Sequence, residues 1–299
     1  MMSVLITGVD GFTGRYLAPL LASAGYEVHG LVQRLPKEAI DGVSVMHIAD
    51  LTDAAQVAQA MRESSATRIV HLAAISFVAS DADMMYRVNL IGTRNLLESL
   101  VALQLPIRSV LLASSANVYG NATDGILTES TFPAPANDYA VSKLAMEYLA
   151  KLYADRLPLI ICRPFNYTGV GQLESFLLPK IVSHVRNAAA EIELGNLDVA
   201  RDFSDVRDVS AIYAQLIDTK AAVGCTLNVC SGRAYTLQEI LALVEELSGR
   251  RLAVRVNSRF VRRNEVKVLL GDPSRLDSIL GAPHSKIPLK ETLRWMIES

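Results

Sequence analysis

The sequence predicts an α/β protein, with a Rossmann-like doubly wound parallel sheet and a smaller C-terminal α/β substrate domain. Short apolar runs alternate with longer stretches of helical periodicity, which is typical of a parallel sheet covered by helices on both faces. A glycine-rich turn follows the first apolar run, as in sheets that bind dinucleotides. The chain has 299 residues, 51% hydrophobic and 20% charged, which allows a large core and excludes a disordered protein.

Six apolar segments are expected to form the parallel strands. They are Val4–Thr7, Val28–Val32, Val43–Ile48, Ile69–Leu72, Val110–Ala113 and Leu159–Cys162. Between them, the patterns of Met85–Leu103 and Tyr139–Leu157 predict crossover helices. After Arg163 the elements become shorter and more charged. We therefore expect residues 1–165 to form most of the Rossmann-like domain.

The N-terminal turn is predicted to hold the pyrophosphate of a dinucleotide. Its glycines permit a tight turn and a close approach of the backbone to the phosphates. The helix that begins there offers unpaired N–H groups and the positive end of its dipole. The candidate cofactor-binding residues of this turn are Gly8, Gly11, Phe12, Thr13 and Gly14. Their spacing is GxxGxxG rather than the commoner GxGxxG.

Tyr139 and Lys143 are four residues apart, so on a helix they project from one face. An ammonium beside a phenol stabilises the phenolate, so Lys143 is expected to bring the pKa of Tyr139 down toward the working pH. Such a phenol can give a proton to a sugar oxygen or take one from it. The pair is therefore a candidate for acid–base catalysis.

A strand that ends in hydroxyl residues is the third candidate element. The apolar run before Ser114 and Ser115 should present both serines at the carboxyl edge of the sheet, where such folds bind ligands. Serines after a strand also serve as turn or cap residues. From the residues alone, catalysis and capping both remain open.

Taken together, these segments resemble the extended short-chain dehydrogenase/reductase family that acts on nucleotide-sugars. The matching motifs are TGxxGFxG at 7–14, HLAA at 71–74, SSxxVYG at 114–120, YxxxK at 139–143 and RxFN at 163–166. The resemblance implies that Ser115, Tyr139 and Lys143 are catalytic, and that the last two also contact the cofactor. Alignment on Tyr119 selects Ser115 over Ser114.

Within that family the chain resembles the GDP-mannose branch. The run 201–203 is similar to its RD(W/F) element, and 262–266 and 269–273 are similar to its RPTEV and LLGDP stretches. The residues that the resemblance assigns to the substrate are Ser115, Asn166, Lys180, Arg201, Arg262 and Glu265. The cations among them suit a GDP-sugar, because phosphates accept charge-assisted hydrogen bonds.

One departure from that branch decides the expected reaction. Its 4,6-dehydratases carry a glutamate base two residues before the tyrosine of the VYG element, where this chain has Asn117, and a neutral amide cannot act as that base. The resemblance therefore implies reduction of the C4 ketone of GDP-4-keto-6-deoxy-D-mannose to GDP-D-rhamnose. In that reaction Tyr139 gives a proton to the C4 oxygen, Ser115 aligns the carbonyl and Lys143 holds the nicotinamide ribose.

Several alternatives stand behind this hypothesis. A nucleotide-sugar 4-epimerase with tightly held NAD uses the same Ser–Tyr–Lys set and is the runner-up. A GDP-mannose 4,6-dehydratase is disfavoured by Asn117, and a GDP-fucose-synthase-like enzyme by Ala116, where that group has a cysteine. A non-catalytic cofactor-binding protein is disfavoured because Tyr139 and Lys143 are both intact.

The end of the second predicted strand favours NADP(H), with NAD(H) as a tolerated second cofactor. An NAD site usually has an acidic residue there for the ribose 2′-hydroxyl. The run 29–34 has none and ends in Arg34, which could pair with a 2′-phosphate; an ordinary surface cation is the alternative. By resemblance, the remaining cofactor contacts are Asp50, Leu51, Leu72, Ala73 and Ala74.

Two features of organisation rest on the resemblance alone. The domains are expected to be discontinuous, with roughly 199–230 returning to the Rossmann-like domain, and 166–198 plus 231–299 forming the nucleotide-sugar domain. A homodimer is expected, because two helices of each subunit in this family, one of them carrying the active tyrosine, commonly pack into a four-helix bundle.

The composition excludes several other classes. A net charge of −2 gives no footprint for nucleic acid or an anionic membrane, and no apolar stretch is long enough to span a bilayer. The first residues lack a signal peptide's layout, and three cysteines indicate no disulfide framework, so we expect a cytoplasmic protein. The five histidines show no metal-ligand spacing with the cysteines, so no metal is expected.

Overall fold

The computed structural model describes residues 2–76, 81–120, 125–258, 267–284 and 286–299. The strands are β1 Met2–Thr7, β2 Tyr26–Val32, β3 Val45–Ile48, β4 Arg68–His71, β5 Ser109–Ala113, β6 Ile126–Leu127, β7 Leu159–Pro164, β8 Asn166–Thr168, β9 Glu191–Leu194, β10 Ala200–Asp205, β11 Thr226–Val229, β12 Ala234–Thr236, β13 Ala253–Val256 and β14 Val268–Gly271. Seven of them form one parallel sheet in the order β11-β7-β5-β4-β1-β2-β3. The predicted Rossmann-like fold class is confirmed. All six predicted strands lie in this sheet, with small shifts at their ends.

The helices are α1 Phe12–Ser23, α2 Ala54–Ser64, α3 Ala82–Tyr86, α4 Thr93–Ala102, α5 Asp138–Lys151, α6 Leu177–Arg186, α7 Val206–Leu216, α8 Leu237–Ser248, α9 Ser274–Leu280 and α10 Leu289–Glu298. On one face of the large sheet, side chains such as Val4 and Ile6 pack against α1 and α7. On the other face, Leu5 and its equivalents pack against α2, α4 and α5. Burial on both faces explains why the strands are nearly continuous apolar runs.

The helix predicted over 85–103 is divided in the structure. A π-helical segment, Arg87–Gly92, joins α3 to α4. Within it the side chain of Asn89 binds the N–H and the carbonyl of Ile75, at 2.8 Å and 3.0 Å, and Thr93 Oγ1 donates to the carbonyl of Asn89 at 2.8 Å. Such side-chain bonds compete with the regular helix ladder, which favours a local change of helix type.

The helix that carries Tyr139 is shorter than its apolar pattern predicts. It begins after Asn137, whose Oδ1 accepts the N–H of Ala140 at 2.9 Å as a helix cap. It ends at Lys151 instead of Leu157, because the chain tightens into bonds between residues three apart over its last turn.

The part of the chain after Arg163 builds a second, smaller layer. A second sheet has the order β12-β10-β14-β6, with β8 paired to β10, and β9 pairs with β13. Helices α6, α8 and α10 enclose a separate apolar core there. Within residues 199–230, β11 joins the large sheet while β10 joins the small one, and the domain division itself stays a prediction. No described helix is long and apolar enough to cross a membrane.

Candidate active site

The carboxyl edge of the large sheet gathers several of the predicted site residues. Gly8 follows β1, Ser115 follows the end of β5 and Asn166 follows β7. Because parallel strands end at the same edge, the three positions lie along one side of the sheet. Tyr139, in the first turn of α5, reaches the same edge and forms a hydrogen bond with Ser115.

Ser115 combines the two roles that the sequence left open. Its Oγ caps the short 3₁₀ turn Ala116–Tyr119, accepting the backbone N–H of Asn117 at 3.1 Å and the side-chain Nδ2 of Asn117 at 3.1 Å. The same hydroxyl bonds with Tyr139. Ser114 is occupied elsewhere, since its Oγ donates to a buried carboxylate at 2.5 Å.

Burial raises the pKa of Tyr139 well above the ordinary value for a phenol. The phenol of Tyr167 adds to the rise, and the hydrogen bond with Ser115 opposes it. The expectation that Lys143 would bring this pKa down is wrong for this structure. The ammonium of Lys143 donates instead to the carbonyl of Ala113 at 2.7 Å, at the end of β5. Tyr139 is therefore a protonated phenol at neutral pH, suited to give a proton.

Lys143 is itself perturbed by its surroundings. It is only 3% exposed, and burial lowers its pKa to about 8. The carboxylate of Glu147, one turn further along α5, opposes that fall. Lys143 is thus a cation that loses its charge in the mildly alkaline range.

We expect activity to fall as the pH rises through about 8, the pKa of Lys143. Below that pH the ammonium favours the phenolate that forms when Tyr139 gives up its proton, and above it this help is lost. The measurement is the pH profile of kcat/KM, which reports ionisations of the free enzyme. In Lys143→Met the residual activity should be low and flat through this range. An alkaline limb that persists in Lys143→Met would assign the ionisation to another group.

Behind the two serines lies a buried ion pair. Glu147 and Arg163 are 1% and 5% exposed, and Arg163 donates Nε to one carboxylate oxygen at 2.9 Å and Nη2 to the other at 2.6 Å. Ser114 donates to the same carboxylate. Arg163 also donates to the Tyr119 hydroxyl at 3.0 Å, which donates to Asn228 Oδ1 at 2.6 Å. These contacts tie β5, α5, β7 and β11 together directly behind the edge that carries the site.

The sequence analysis missed two buried polar residues on helical segments, Asn89 and Glu147. The amide of Asn89 bridges the backbone of Ile75 to Ser142 Oγ, which it meets at 3.0 Å, next in sequence to Lys143. Glu147 follows Lys143 by one helical turn. A polar residue on the inward face of an otherwise apolar helix was the signal available for both.

The glycine turn fits the phosphates of a dinucleotide. Gly8 has a φ of +66°, and a Cβ on it would lie 2.8 Å from Cα of Ala73, so only glycine is accommodated there. Gly11 is the N-cap of α1, and no side chain in the described part of the chain caps that helix. The N–H groups and dipole at the start of α1 therefore suit an anion.

The first turn of α1 is held by close contacts. The ring of Phe12 stacks on Tyr167, with centroids 6.0 Å apart, and Thr13 Oγ1 lies 2.8 Å from the Tyr167 hydroxyl. A Cβ on Gly14 would lie 2.4 Å from the carbonyl oxygen of Val9. These contacts fix the position of the helix end that faces the phosphates.

The candidates for the adenosine half follow β2, β3 and β4. Arg34 is exposed, and Leu51 is buried. Asp50 accepts the N–H and the hydroxyl of Thr52 at 2.8 Å and 2.7 Å, and the amide of Gln33 at 3.0 Å. Those hydrogen bonds hold the pKa of Asp50 below its usual value. The chain after β4 contributes three partly buried residues, Leu72, Ala73 and Ala74.

Two of the substrate candidates, Asn166 and Arg201, lie on the neighbouring strands β8 and β10. Asn166 Nδ2 donates to the carbonyl of Asp202 at 3.3 Å. The buried carboxylate of Asp202 accepts the N–H and hydroxyl of Ser231, at 2.8 Å and 2.6 Å, and the N–H of Gly232 at 2.9 Å. Asp202 thereby fixes the backbone on which Arg201 stands.

The other substrate candidates are less closely connected to the edge of the large sheet. Lys180 lies on α6 and donates to the carbonyl of Glu193 on β9 at 2.6 Å. Arg262 and Glu265 lie outside the described residues, so their roles stay predictions.

Within the described residues, no group of histidine, cysteine and acidic side chains could hold a metal ion. His71, at the end of β4, lies with Nδ1 2.7 Å from the Thr7 hydroxyl and Nε2 2.9 Å from the Thr93 hydroxyl. Burial lowers its pKa to about 3, so it is neutral at pH 7. His71 is a packing residue with both ring nitrogens satisfied.

The family model described as GDP-mannose 4,6 dehydratase matches residues 5–296. The chain belongs to this family. The family resemblance predicted from its motifs is confirmed. The family model spans nearly the whole chain, so it includes the edge that carries Ser115 and Tyr139 and the second sheet beyond it.

Two curated relatives of this family member are sugar-nucleotide oxidoreductases by name. GDP-6-deoxy-D-talose 4-dehydrogenase from Aggregatibacter actinomycetemcomitans is 36% identical over 300 residues, covering 100% of this chain and 98% of the relative. GDP-6-deoxy-D-mannose reductase from Pseudomonas aeruginosa is 31% identical over 306 residues, covering 98% and 95%. The prediction that the chain is an enzyme of the short-chain dehydrogenase/reductase type is confirmed.

Solved structures share the fold over its full length. A protein from Burkholderia cenocepacia J2315, provisionally described as an epimerase, is 50% identical with a TM-score of 0.93, over 99% of this chain and 97% of that one. RMD from Pseudomonas aeruginosa, complexed with NADPH, is 29% identical with a TM-score of 0.86, over 100% and 97%. The predicted preference for NADP(H) agrees with the cofactor found in the second relative.

Proposed function

We propose that the protein reduces the C4 ketone of GDP-4-keto-6-deoxy-D-mannose with NADP(H), forming GDP-D-rhamnose. The observation that carries the proposal is the hydrogen-bonded pair of Ser115 and Tyr139 beside Lys143, with Asn117 at the position of the dehydratase base. An amide leaves the acid–base pair for carbonyl chemistry and removes the base that elimination of water requires. Membership of a family named after dehydratases is thereby reconciled with a reductase.

The residues of the site divide the work of that reduction. When bound, the reduced nicotinamide supplies the hydride that attacks C4. Tyr139, whose raised pKa keeps it protonated, gives its proton to the C4 oxygen as negative charge grows there. Ser115 hydrogen-bonds the same oxygen and aligns the carbonyl. The charge of Lys143 favours the phenolate left on Tyr139.

A second product is favoured by the relatives' names. GDP-6-deoxy-D-talose and GDP-D-rhamnose, which is GDP-6-deoxy-D-mannose, differ only in configuration at C4, so both derive from one ketone. The relative named for the talose sugar is 36% identical and the one named for the mannose sugar is 31% identical. GDP-6-deoxy-D-talose is therefore the second candidate product, and the two differ in the face of the carbonyl that receives the hydride.

The test is a panel of GDP-, UDP- and dTDP-4-keto-6-deoxy sugars incubated with NADPH, followed by NMR of the products. We expect NADPH oxidation with the GDP-linked ketone above all. The coupling constants at C4 then assign rhamnose or talose configuration. Turnover of the UDP- or dTDP-linked ketone in preference to the GDP-linked one would refute the proposed substrate.

An epimerase is the remaining alternative, favoured by the description of the Burkholderia relative. Such an enzyme would hold NAD tightly and interconvert C4 epimers without net consumption of added NADPH. Denaturing the purified protein and identifying any released dinucleotide separates the two cases. Stoichiometric NAD, together with epimerisation of a GDP-sugar, would replace the reductase proposal.

We expect Arg34→Ala to reduce the preference for NADPH over NADH. An exposed guanidinium that pairs with the 2′-phosphate should contribute roughly tenfold to kcat/KM for NADPH and nothing for NADH, which lacks that phosphate. Steady-state kinetics with both cofactors measure the ratio. Arg62→Ala, at another exposed arginine, is the matched control and should leave the ratio unchanged. An unchanged ratio in Arg34→Ala would make Arg34 an ordinary surface cation.

A homodimer through the helices beside the site is part of the proposal. The exposed apolar side chains that support it are Met84, Ile91, Val141, Tyr148 and Leu152. Leu152→Glu should convert a dimer into a monomer, measured by light scattering at micromolar concentration. The control is Leu173→Glu, because Leu152 and Leu173 are both 72% exposed. A wild-type protein that is already monomeric would refute the dimer.

The cysteines support the proposal that the enzyme works in the cytoplasm. Cys162, Cys225 and Cys230 are all unpaired. Unpaired, largely buried thiols are typical of proteins kept in a reducing compartment.

A further inference from the structure

Asn117 lies at the catalytic edge with a side chain that the chemistry above does not use. It is exposed there. Its backbone N and its side-chain Nδ2 each lie 3.1 Å from Ser115 Oγ. Both are N–H groups and can only donate. The hydroxyl oxygen of Ser115 therefore receives two hydrogen bonds from one residue.

Two accepted bonds determine what the Ser115 hydroxyl can do next. A serine oxygen has two lone pairs and one proton, so with both lone pairs occupied the remaining direction belongs to its own O–H. Tyr139 is the partner in that direction. The Ser115 bond lowers the pKa of Tyr139, which means that it stabilises the phenolate, and a phenolate can only accept. Ser115 is thus the donor in this pair.

We propose that Asn117 is a positioning residue that holds the Ser115 hydroxyl as a hydrogen-bond donor toward the oxygen being reduced. This rests on the carbonyl reduction proposed above and explains why an amide suits this position. A carboxylate at residue 117 would accept the proton of Ser115 and withdraw it from the C4 oxygen. The asparagine therefore does more than remove a base, since it also orders the donor that stabilises developing negative charge.

Asn117→Asp is the most direct test, because it keeps the shape and exchanges the donating Nδ2 for an accepting oxygen. It is combined with Ser115→Ala and the double variant in a double-mutant cycle. We expect Asn117→Asp to lower kcat roughly 10- to 100-fold, as for loss of one oriented donor, with the KM for NADPH and the Tm little changed. In the Ser115→Ala background the same change should have no further effect.

Two further variants define the scale. Asn117→Ala keeps the backbone donor and loses only Nδ2, so its kcat should lie between those of the wild type and Asn117→Asp. Asn187→Asp makes the same chemical change at an exposed amide at the end of α6 and should leave kcat unchanged. If Asn117→Asp does not fold, the cycle run with Asn117→Ala decides in the same way.

The outcomes separate this proposal from the proposed function. Full kcat in Asn117→Asp, or an equal loss with and without the Ser115 hydroxyl, overturns the positioning role and leaves the reductase intact. A wild-type protein that turns over no keto-sugar of the panel, in either direction, overturns both, since the donor would then have no carbonyl to serve.

Discussion

Replacing Tyr139 with phenylalanine should lower kcat for reduction of the keto-sugar by about 10²- to 10⁴-fold, the usual contribution of a positioned general acid. The hydroxyl is lost while the ring stays, so the oxygen at C4 must take its proton from water during hydride transfer. The raised pKa of Tyr139 strengthens this expectation, because the phenol is fully protonated at neutral pH in the wild type. Stopped-flow single turnovers that follow NADPH absorbance measure the chemical step directly.

Cofactor binding distinguishes a chemical role from a structural one. The dissociation constant for NADPH should change little in Tyr139→Phe, since only one hydrogen bond, to Ser115, is removed from the site. Tyr86→Phe is the matched control. Its hydroxyl donates to Asp138 at 2.9 Å on the surface, next in sequence to Tyr139, so its removal should leave kcat nearly unchanged. Near-normal reduction by Tyr139→Phe would refute the mechanism.

The strands were predictable because their signal is local. In a parallel sheet covered on both faces, every side chain of a strand is buried, so each strand is written as an apolar run. The helix boundaries were not, because they depend on partners distant in sequence. The division of the helix over 85–103 comes from the amide of Asn89, which binds the backbone of Ile75 across the fold. Apolar periodicity carries no information about such a contact.

The active site shows the same contrast. The meeting of Ser115 and Tyr139 follows from motifs whose spacing is local to one turn and one helix. The charge state of the pair does not, because burial outweighs the neighbouring ammonium in setting the pKa of Tyr139. The bond between Lys143 and the carbonyl of Ala113 could not be inferred either, since it requires knowing how α5 lies against β5.

Replacing Glu147 with alanine should lower the free energy of unfolding by about 3–5 kcal/mol, the usual cost of removing one partner of a buried ion pair. Arg163 would be left as a guanidinium that is 5% exposed and has lost both hydrogen bonds to the carboxylate. The hydroxyl of Ser114 would also lose its acceptor. For a marginally stable protein this is a large share of the total stability. Urea denaturation followed by the fluorescence of Trp295 measures the change as a shift in midpoint at constant slope.

A surface pair of the same chemistry is the control. Arg94 donates to Glu98 at 2.8 Å with both side chains about half exposed, so Glu98→Ala should leave the stability nearly unchanged. Removing both buried charges, in Glu147→Met with Arg163→Met, should cost less than Glu147→Ala alone, because no unpaired guanidinium remains. If Glu147→Ala loses no more stability than the surface variant, the buried pair contributes nothing beyond packing. A loss in Glu147→Ala that Arg163→Met does not relieve would place the cost in the hydrogen bond from Ser114 instead.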